Sequence, residues 1–258
     1  MKNYLNNLFD LSDQTALVVG GGGHLCSAIA EGFAMAGAHV FIADLRMEKA
    51  VDISNKLNNI YGNVTKPVEL DATNLESFYK FTENNQISNL DILVNGGGIN
   101  TSTPFFELKL EDWQNVIDSQ VTATFIGCQV IGRIMVENNK GSIINISSAS
   151  AEVPLSKAFP YSVAKAGIRN LTQNLAREWA TSGVRVNAIR PGFFPTEWNK
   201  KNFITPEREA AILGHTPMKR YGSPEELIGA AVYLASEASK FVTGSELVVD
   251  GGFSAMTI

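Results

Sequence analysis

Three side chains near the middle of this 258-residue chain have the types and spacing needed to move a proton to or from an oxygen. Tyr161 and Lys165 are four apart in a stretch with helical apolar periodicity, so their side chains stack on one face about one turn apart. Ser148 lies thirteen residues before Tyr161, just past an apolar run, where an intervening turn can bring it alongside. A phenol titrates near about 10 and is a poor acid or base at neutral pH, but a neighbouring ammonium favours the phenolate and lowers that value. A serine hydroxyl beside them can hydrogen-bond the alcohol or carbonyl oxygen that loses or gains the proton. The set suits hydride transfer. An isolated Tyr-x-x-x-Lys is more often an ordinary pair on the surface of an amphipathic helix, so its meaning depends on what else the chain places around it.

Glycine-rich turns supply that context. Gly20-Gly21-Gly22-Gly23-His24-Leu25-Cys26 follows the first apolar run and leads into a helical pattern. Gly20, Gly22 and Gly23 allow a pyrophosphate close to the backbone, and a helix starting at His24 and Leu25 offers N–H donors and a positive dipole end. Asp44 ends the next apolar run, where a carboxylate would bond the diol of an adenine ribose and repel a 2′-phosphate. This favours NAD over NADP, although Arg46 is able to hold such a phosphate. A flexible turn and a solvated loop aspartate would account for the same residues. The second cluster, Asn95-Gly96-Gly97-Gly98, and Asp71-Ala72 put permissive backbone or short polar groups at the ends of the fourth and third runs as well, which tips the balance toward nucleotide binding.

The elements that must carry these residues are legible as an alternation. Apolar runs at Thr15–Val19, His39–Ala43, Val64–Leu70, Asp91–Val94, Ser142–Ile146, Val184–Ile189 and Ser245–Val249 read as strands. Leu25–Ala36, Glu111–Val136, Ala158–Thr181 and Pro224–Ala235 carry apolar residues at helical spacing. Such alternation predicts right-handed βαβ units: a single-domain, Rossmann-type, doubly wound parallel α/β sheet of about seven strands with helices on both faces. One segment breaks the rhythm. Between Pro191 and Pro224 lie five prolines, three phenylalanines and no strand, which predicts an irregular substrate lid. Phe193, Phe194, Trp198 and Phe203 would form its apolar wall, and Lys200, Lys201 and Arg208 its cations. If the substrate carries a carboxylate, Arg208 is the best candidate for a two-pronged pair with it; the alternative for each cation taken singly is a solvated charge on the lid surface.

Composition narrows the partners. With 21 Lys and Arg against 26 Asp and Glu, a net charge of −5 and no basic run, a nucleic-acid or anionic-membrane surface is not expected. No apolar stretch is long enough to span a membrane and the first residues have no signal-peptide core, so the expected location is cytoplasmic. Cys26 and Cys128 read as reduced core thiols, and His24, His39 and His215 are too scattered to suggest a metal site.

Taken in order, the turn at Gly20 to Cys26, Asn95-Gly96-Gly97-Gly98, Ser148, Tyr161 with Lys165, and Pro191-Gly192 resemble the short-chain dehydrogenase/reductase family nearly end to end. Within it, the segments V-V-G-G-G-G-H-L-C, P-G-F-F-P-T-E, H-T-P-M-K-R-Y-G and V-D-G-G-F-S-A look like bacterial sugar-acid oxidoreductases of the fructuronate (mannonate) or gluconate type. The resemblance implies Tyr161 as proton donor and acceptor, Lys165 as its tuner and nicotinamide-ribose ligand, and Ser148 as ligand of the substrate oxygen. It places Asp71 and Ala72 at the adenine, and Asn95, Gly96 and Gly97 at the adenosine ribose. Pro191, Gly192 and Phe194 fall at the cofactor, Thr196 on its carboxamide, and Phe193 joins Arg208 at the substrate. A homotetramer is also implied, its long helices having more apolar surface than one sheet face covers. The chain departs from the family where His24 and Cys26 replace glycines, where Asn-Asn-Ala-Gly becomes Asn95-Gly96-Gly97-Gly98, and where Gln120 replaces the usual fourth catalytic Asn. These departures keep open a second possibility: a catalytically weak nucleotide-binding regulator of the same fold.

Overall fold

The computed structural model describes residues 2–196, 200–201 and 204–256. Its centre is a seven-stranded parallel sheet: β1 (Thr15–Val19), β2 (His39–Asp44), β3 (Thr65–Glu69), β4 (Ile92–Asn95), β5 (Gly141–Ile146), β6 (Val184–Pro191) and β7 (Glu246–Val249). The order across the sheet is β3-β2-β1-β4-β5-β6-β7. Each expected strand is present, its limits moved by a residue or two.

Parallel pairing buries both faces of the central strands, which is why Thr15–Val19 and Ile92–Asn95 are almost wholly apolar rather than alternating. Ala16 and Val18 join a core with Ile29 and Phe33 of helix His24–Met35 and with Ala231 and Leu234 of helix Ile228–Ala235. Leu17 and Val19 face a second core built on Phe78 of helix Leu75–Asn84 and Ile131 of helix Ala123–Glu137. Among the described residues no helix is long and apolar enough to cross a membrane, and no three His, Cys, Asp or Glu side chains gather as a metal site would require. Cys26 and Cys128 are both buried free thiols.

Two expectations are corrected. The helix read over Glu111–Val136 is broken into Leu110–Ile117, a π turn at Asp118–Thr122, and Ala123–Glu137. A π turn inserts one residue without disturbing the apolar stripe on either side, so periodicity alone passes over it. The lid is not irregular throughout, because Pro206–Gly214 is helical. Proline there sits in the first turn, where its missing N–H costs nothing, and the Thr205 side chain accepts from Arg208 N at 3.3 Å as the cap. A short helix at Lys2–Leu8 precedes β1 and was not anticipated.

The sheet order decides where the site lies. β2 and β3 wind one way from β1, while β4 to β7 wind the other, so the carboxyl ends of β1 and β4 flank the switch point where such sheets bind ligands. The register pairs Val19 with Asn95, bringing the two glycine clusters side by side.

Candidate active site

The first turn has the shape of a phosphate cradle. Gly20 has φ +75°, and a Cβ there would lie 2.7 Å from Gly97 Cα, so the turns after β1 and β4 touch backbone to backbone. Gly23, extended at φ −86° and ψ 162°, caps helix His24–Met35, and its N–H donates to Gly20 O at 2.8 Å. His24 is exposed at that helix start, and Leu25 beside it is half-buried. A Cβ on Gly22 would come within 2.9 Å of Asp44 Oδ2, so the β2 carboxylate stands directly against the turn. Asp44 Oδ1 accepts from Arg46 N at 3.1 Å and lies 3.9 Å from Arg46 Nε. Glycine backbone, a positive helix end and a carboxylate one strand over fit the phosphates and ribose of a dinucleotide.

Further along the same edge, Asp71 Oδ1 accepts from Thr73 N and Oγ1 at 2.9 and 2.7 Å, with Ala72 half-buried next to it. Asn95 is only 5% exposed, and its Nδ2 donates to Asn145 Oδ1 at 2.9 Å. Any ribose contact at this position therefore falls to the main chain of Asn95 and to Gly96 and Gly97. The inward turn of Asn95 reveals a buried polar chain. Asn145 Nδ2 donates to Thr172 Oγ1 at 2.9 Å, and Thr172 Oγ1 donates to Ile168 O at 2.8 Å. It ties β4 through β5 to helix Phe159–Trp179, the helix that carries Tyr161 and Lys165. Asn145 and Thr172 escaped the sequence reading, though an asparagine inside the apolar run Ser142–Ile146 is a signal, since a buried amide must find partners.

Ser148, Tyr161 and Lys165 are brought together at the end of β5. Ser148 opens a short turn over Ala149–Ala151 and accepts from Ser150 N at 3.2 Å and Ser150 Oγ at 3.1 Å. Tyr161, half-buried, stands at the start of its helix with its hydroxyl near enough to Ser148 for that side chain to lower its pKa. Lys165, one turn on, is 3% exposed; its Nζ donates to Ile146 O at 2.6 Å and lies 5.5 Å from the centre of the Tyr161 ring. Burial raises the Tyr161 hydroxyl above its ordinary pKa, opposed by Ser148. Burial also lowers Lys165 to about 8, opposed by Cys26. Ser148 thus opposes the rise at Tyr161, while the Lys165 ammonium is anchored on the buried carbonyl of Ile146 close to the phenol ring.

Gln120 lies in the π turn and is 4% exposed. Its Nε2 donates to Ile99 O at 2.9 Å, while Ile99 N donates to Ser119 Oγ at 3.1 Å, so two π-turn side chains grip both polar groups of one residue past the Gly96–Gly98 turn. Gly98, with φ +138°, passes so close that a side chain there would strike the Gln120 amide. The extra methylene that separates Gln from Asn reaches the Ile99 carbonyl. Gln120 Oε1 remains buried with no hydrogen-bond partner.

On the far side, Pro191 ends β6, and Gly192 N donates to Val249 O at 2.9 Å. Phe193 packs edge-on against Phe253 at 5.2 Å, and the Phe194 ring lies where Gly222 has no side chain. Both phenylalanines line a cavity of about 390 Å³ with Met218 and Arg220. Arg220 forms a two-pronged ion pair with Glu226 at 2.6 and 2.7 Å, a cation with defined geometry that sequence reasoning passed over. Thr196 O accepts from Lys200 N at 2.9 Å. Arg208 stands exposed on helix Pro206–Gly214, within electrostatic reach of Tyr221. Trp198 and Phe203 lie outside the described residues.

The family described as enoyl-(acyl carrier protein) reductase matches residues 24–254. The chain is 36% identical over 255 residues to 5-keto-D-gluconate 5-reductase of Escherichia coli (strain K12), covering 96% of this chain and 98% of that protein. It is 32% identical over 250 residues to gluconate 5-dehydrogenase of Gluconobacter oxydans (strain 621H), covering 96% and 97%. A gluconate 5-dehydrogenase from Burkholderia cenocepacia J2315, solved in complex with NADP and tartrate, superposes with a TM-score of 0.91 at 31% identity, covering 98% of this chain and 100% of that one. With motifs, sheet order and likeness agreeing along the whole length, the chain belongs to the short-chain dehydrogenase/reductase family and is a nicotinamide-dependent oxidoreductase of secondary alcohols.

Proposed function

We propose that this protein interconverts a secondary alcohol and a ketone on a sugar acid or related polyol, with NAD as the preferred cofactor. The observation that carries the reading is the Ser148–Tyr161–Lys165 group standing at the switch-point edge beside a glycine turn faced by Asp44. When bound, the nicotinamide supplies or accepts the hydride. The chain's own part is to hold and move a proton. Ser148 Oγ fixes the substrate oxygen, and the Tyr161 hydroxyl takes its proton in oxidation or returns it in reduction. Lys165 presents a buried ammonium one turn below the phenol, in reach of the nicotinamide ribose.

Gly20, Gly22, Gly23, His24 and Leu25 hold the pyrophosphate and Asp44 the adenine-ribose diol. Asp71, Ala72, Asn95, Gly96 and Gly97 enclose the adenosine. Pro191, Gly192, Phe194 and Thr196 meet the nicotinamide, while Phe193 and Arg208 belong to the substrate side. In this reading residues 1–258 form one domain whose segment 191–224 closes over the substrate and excludes water. Phe125 and Val163, on helices Ala123–Glu137 and Phe159–Trp179, are 47% and 53% exposed, which supports pairing of these helices in a homotetramer.

The relatives are named for gluconate chemistry, and one carries NADP, so cofactor choice here rests on Asp44 against Arg46. A panel of hexonates, hexuronates and polyols with NAD and NADP, followed at the NADH absorbance band, tests both halves of the proposal. We expect turnover of at least one acid or polyol, with higher kcat/KM for NAD. Asp44→Ala should narrow or reverse that preference by removing the like-charge clash with a 2′-phosphate. Equal or better use of NADP by the unaltered protein would mean that Arg46 dominates. Arg208→Met should raise KM for an acid substrate and leave its uncharged analogue unchanged. Silence across the panel with NADH still bound would point to the nucleotide-binding regulator instead.

A further inference from the structure

Where the turns after β1 and β4 meet, one side chain is absent because another is present. A Cβ on Gly96 would collide with Cys26 Sγ, and its next neighbours would be Ile146 Cγ1 at 3.0 Å and Val19 O at 3.6 Å. Gly20 and Gly98 have φ values of +75° and +138°, which call for glycine, but the φ of Gly96 is not positive. Its missing side chain answers to space alone, and the thiol of Cys26, only 3% exposed, fills that space. Burial holds this thiol up at about 12, so it stays protonated and behaves as a small packed group rather than a nucleophile.

We propose that Cys26 and Gly96 are a matched pair that sets the distance between the two turns of the cofactor seat, which makes Cys26 a positioning residue for the cofactor. The proposal rests on the nicotinamide reading above. It places the departure at Cys26 and the departure at Gly96 in one contact: the helix start gained a side chain where the β4 turn gave one up. Because Val19 pairs with Asn95 immediately before, a shift of either turn is transmitted to the backbone that faces the pyrophosphate and ribose.

The test compares Gly96→Ala, Cys26→Ala, Cys26→Ser and the double variant Cys26→Ala/Gly96→Ala. Each is read by fluorescence titration with NADH, by KM for cofactor against kcat, and by Tm. Gly96→Ala should weaken NADH binding about tenfold or more, with a smaller change in kcat at saturating cofactor, because the overlap forces the turns apart. The double variant should recover to within about threefold of the unaltered protein, since removing Sγ leaves only the Cγ1 methylene of Ile146, at 3.0 Å, to shift by a few tenths of an ångström. Cys26→Ser, of nearly the same size, should bind NADH almost normally. Normal binding by Gly96→Ala, or a double variant no better than Gly96→Ala, overturns the pair. If Gly96→Ala does not fold, a folded double variant supports the pair and an unfolded one overturns it. If the unaltered protein binds neither NADH nor NADPH, the nicotinamide reading fails by itself, and the four Tm values still decide whether the pair exists.

Discussion

Tyr161→Phe should lower kcat by about 10²–10⁴-fold while leaving NADH affinity close to that of the unaltered protein. The substitution removes one oxygen from a half-buried ring at the start of helix Phe159–Trp179 and leaves the aromatic body that packs there. Only the hydroxyl that carries the proton beside Ser148 is lost. Burial raises the phenol above its ordinary value, so at neutral pH it is protonated, the form needed to deliver a proton in reduction. Oxidation needs the phenolate and should therefore accelerate as pH rises, whereas reduction should not. Steady-state rates in both directions from pH 6 to 10 would separate the two arms. Near-normal kcat in the Phe variant would remove Tyr161 from the chemistry.

Lys165→Met should be as damaging to turnover, and it should also weaken cofactor binding, because the buried ammonium faces both phenol and cleft. It offers an independent thermodynamic readout as well. Burial lowers Lys165 from 10.5 to about 8. The folded protein then holds fewer protons than the unfolded chain between those values, so stability rises with pH across that window. Below about pH 8 the buried charge costs the fold roughly 3 kcal/mol. The variant removes that cost but leaves Ile146 O without its 2.6 Å donor, a loss of about 1–3 kcal/mol, so the net change at pH 7 should be small. The pH slope is the sharper measure. Denaturant unfolding at pH 7 to 10.5 should show the unaltered protein gaining stability relative to Lys165→Met. Parallel curves would mean that Lys165 is not the group titrating near 8.

A second ionic assembly explains why the stretch between Ser148 and Tyr161 can hold its course. Glu152, just past the Ser148 turn, pairs with Arg190 on β6, and Arg190 in turn lies 3.4 Å from Glu246 on β7. Arg169, on the helix of Tyr161 and Lys165, reaches the same Glu246 oxygen at 3.4 Å. Four charges from four elements thus brace the segment that carries the proposed proton donor. In sequence they are ordinary polar residues scattered over almost a hundred positions, with no spacing to connect them.

What could be read without coordinates was whatever is written locally. Strand and helix limits follow from periodicity over five to fifteen neighbours, and the parallel sheet follows from their alternation. Gly20, Asp44, Ser148 and Tyr161 were recognisable because each sits at an element end whose position the periodicity already determines, and Lys165 because it falls one turn after Tyr161 on the same helix face. Tertiary structure decided what those residues touch. Lys165 is anchored on Ile146 O, Asn95 turned inward to Asn145, Gln120 took hold of Ile99, and Gly96 has its missing side chain where Cys26 Sγ lies. Each of these contacts joins residues roughly 20 to 70 positions apart, brought together only when strands pair and helices pack on the finished sheet. A side chain buried at such a junction takes the nearest group that satisfies it, and which group is nearest is a property of the packed sheet rather than of its neighbours in the chain.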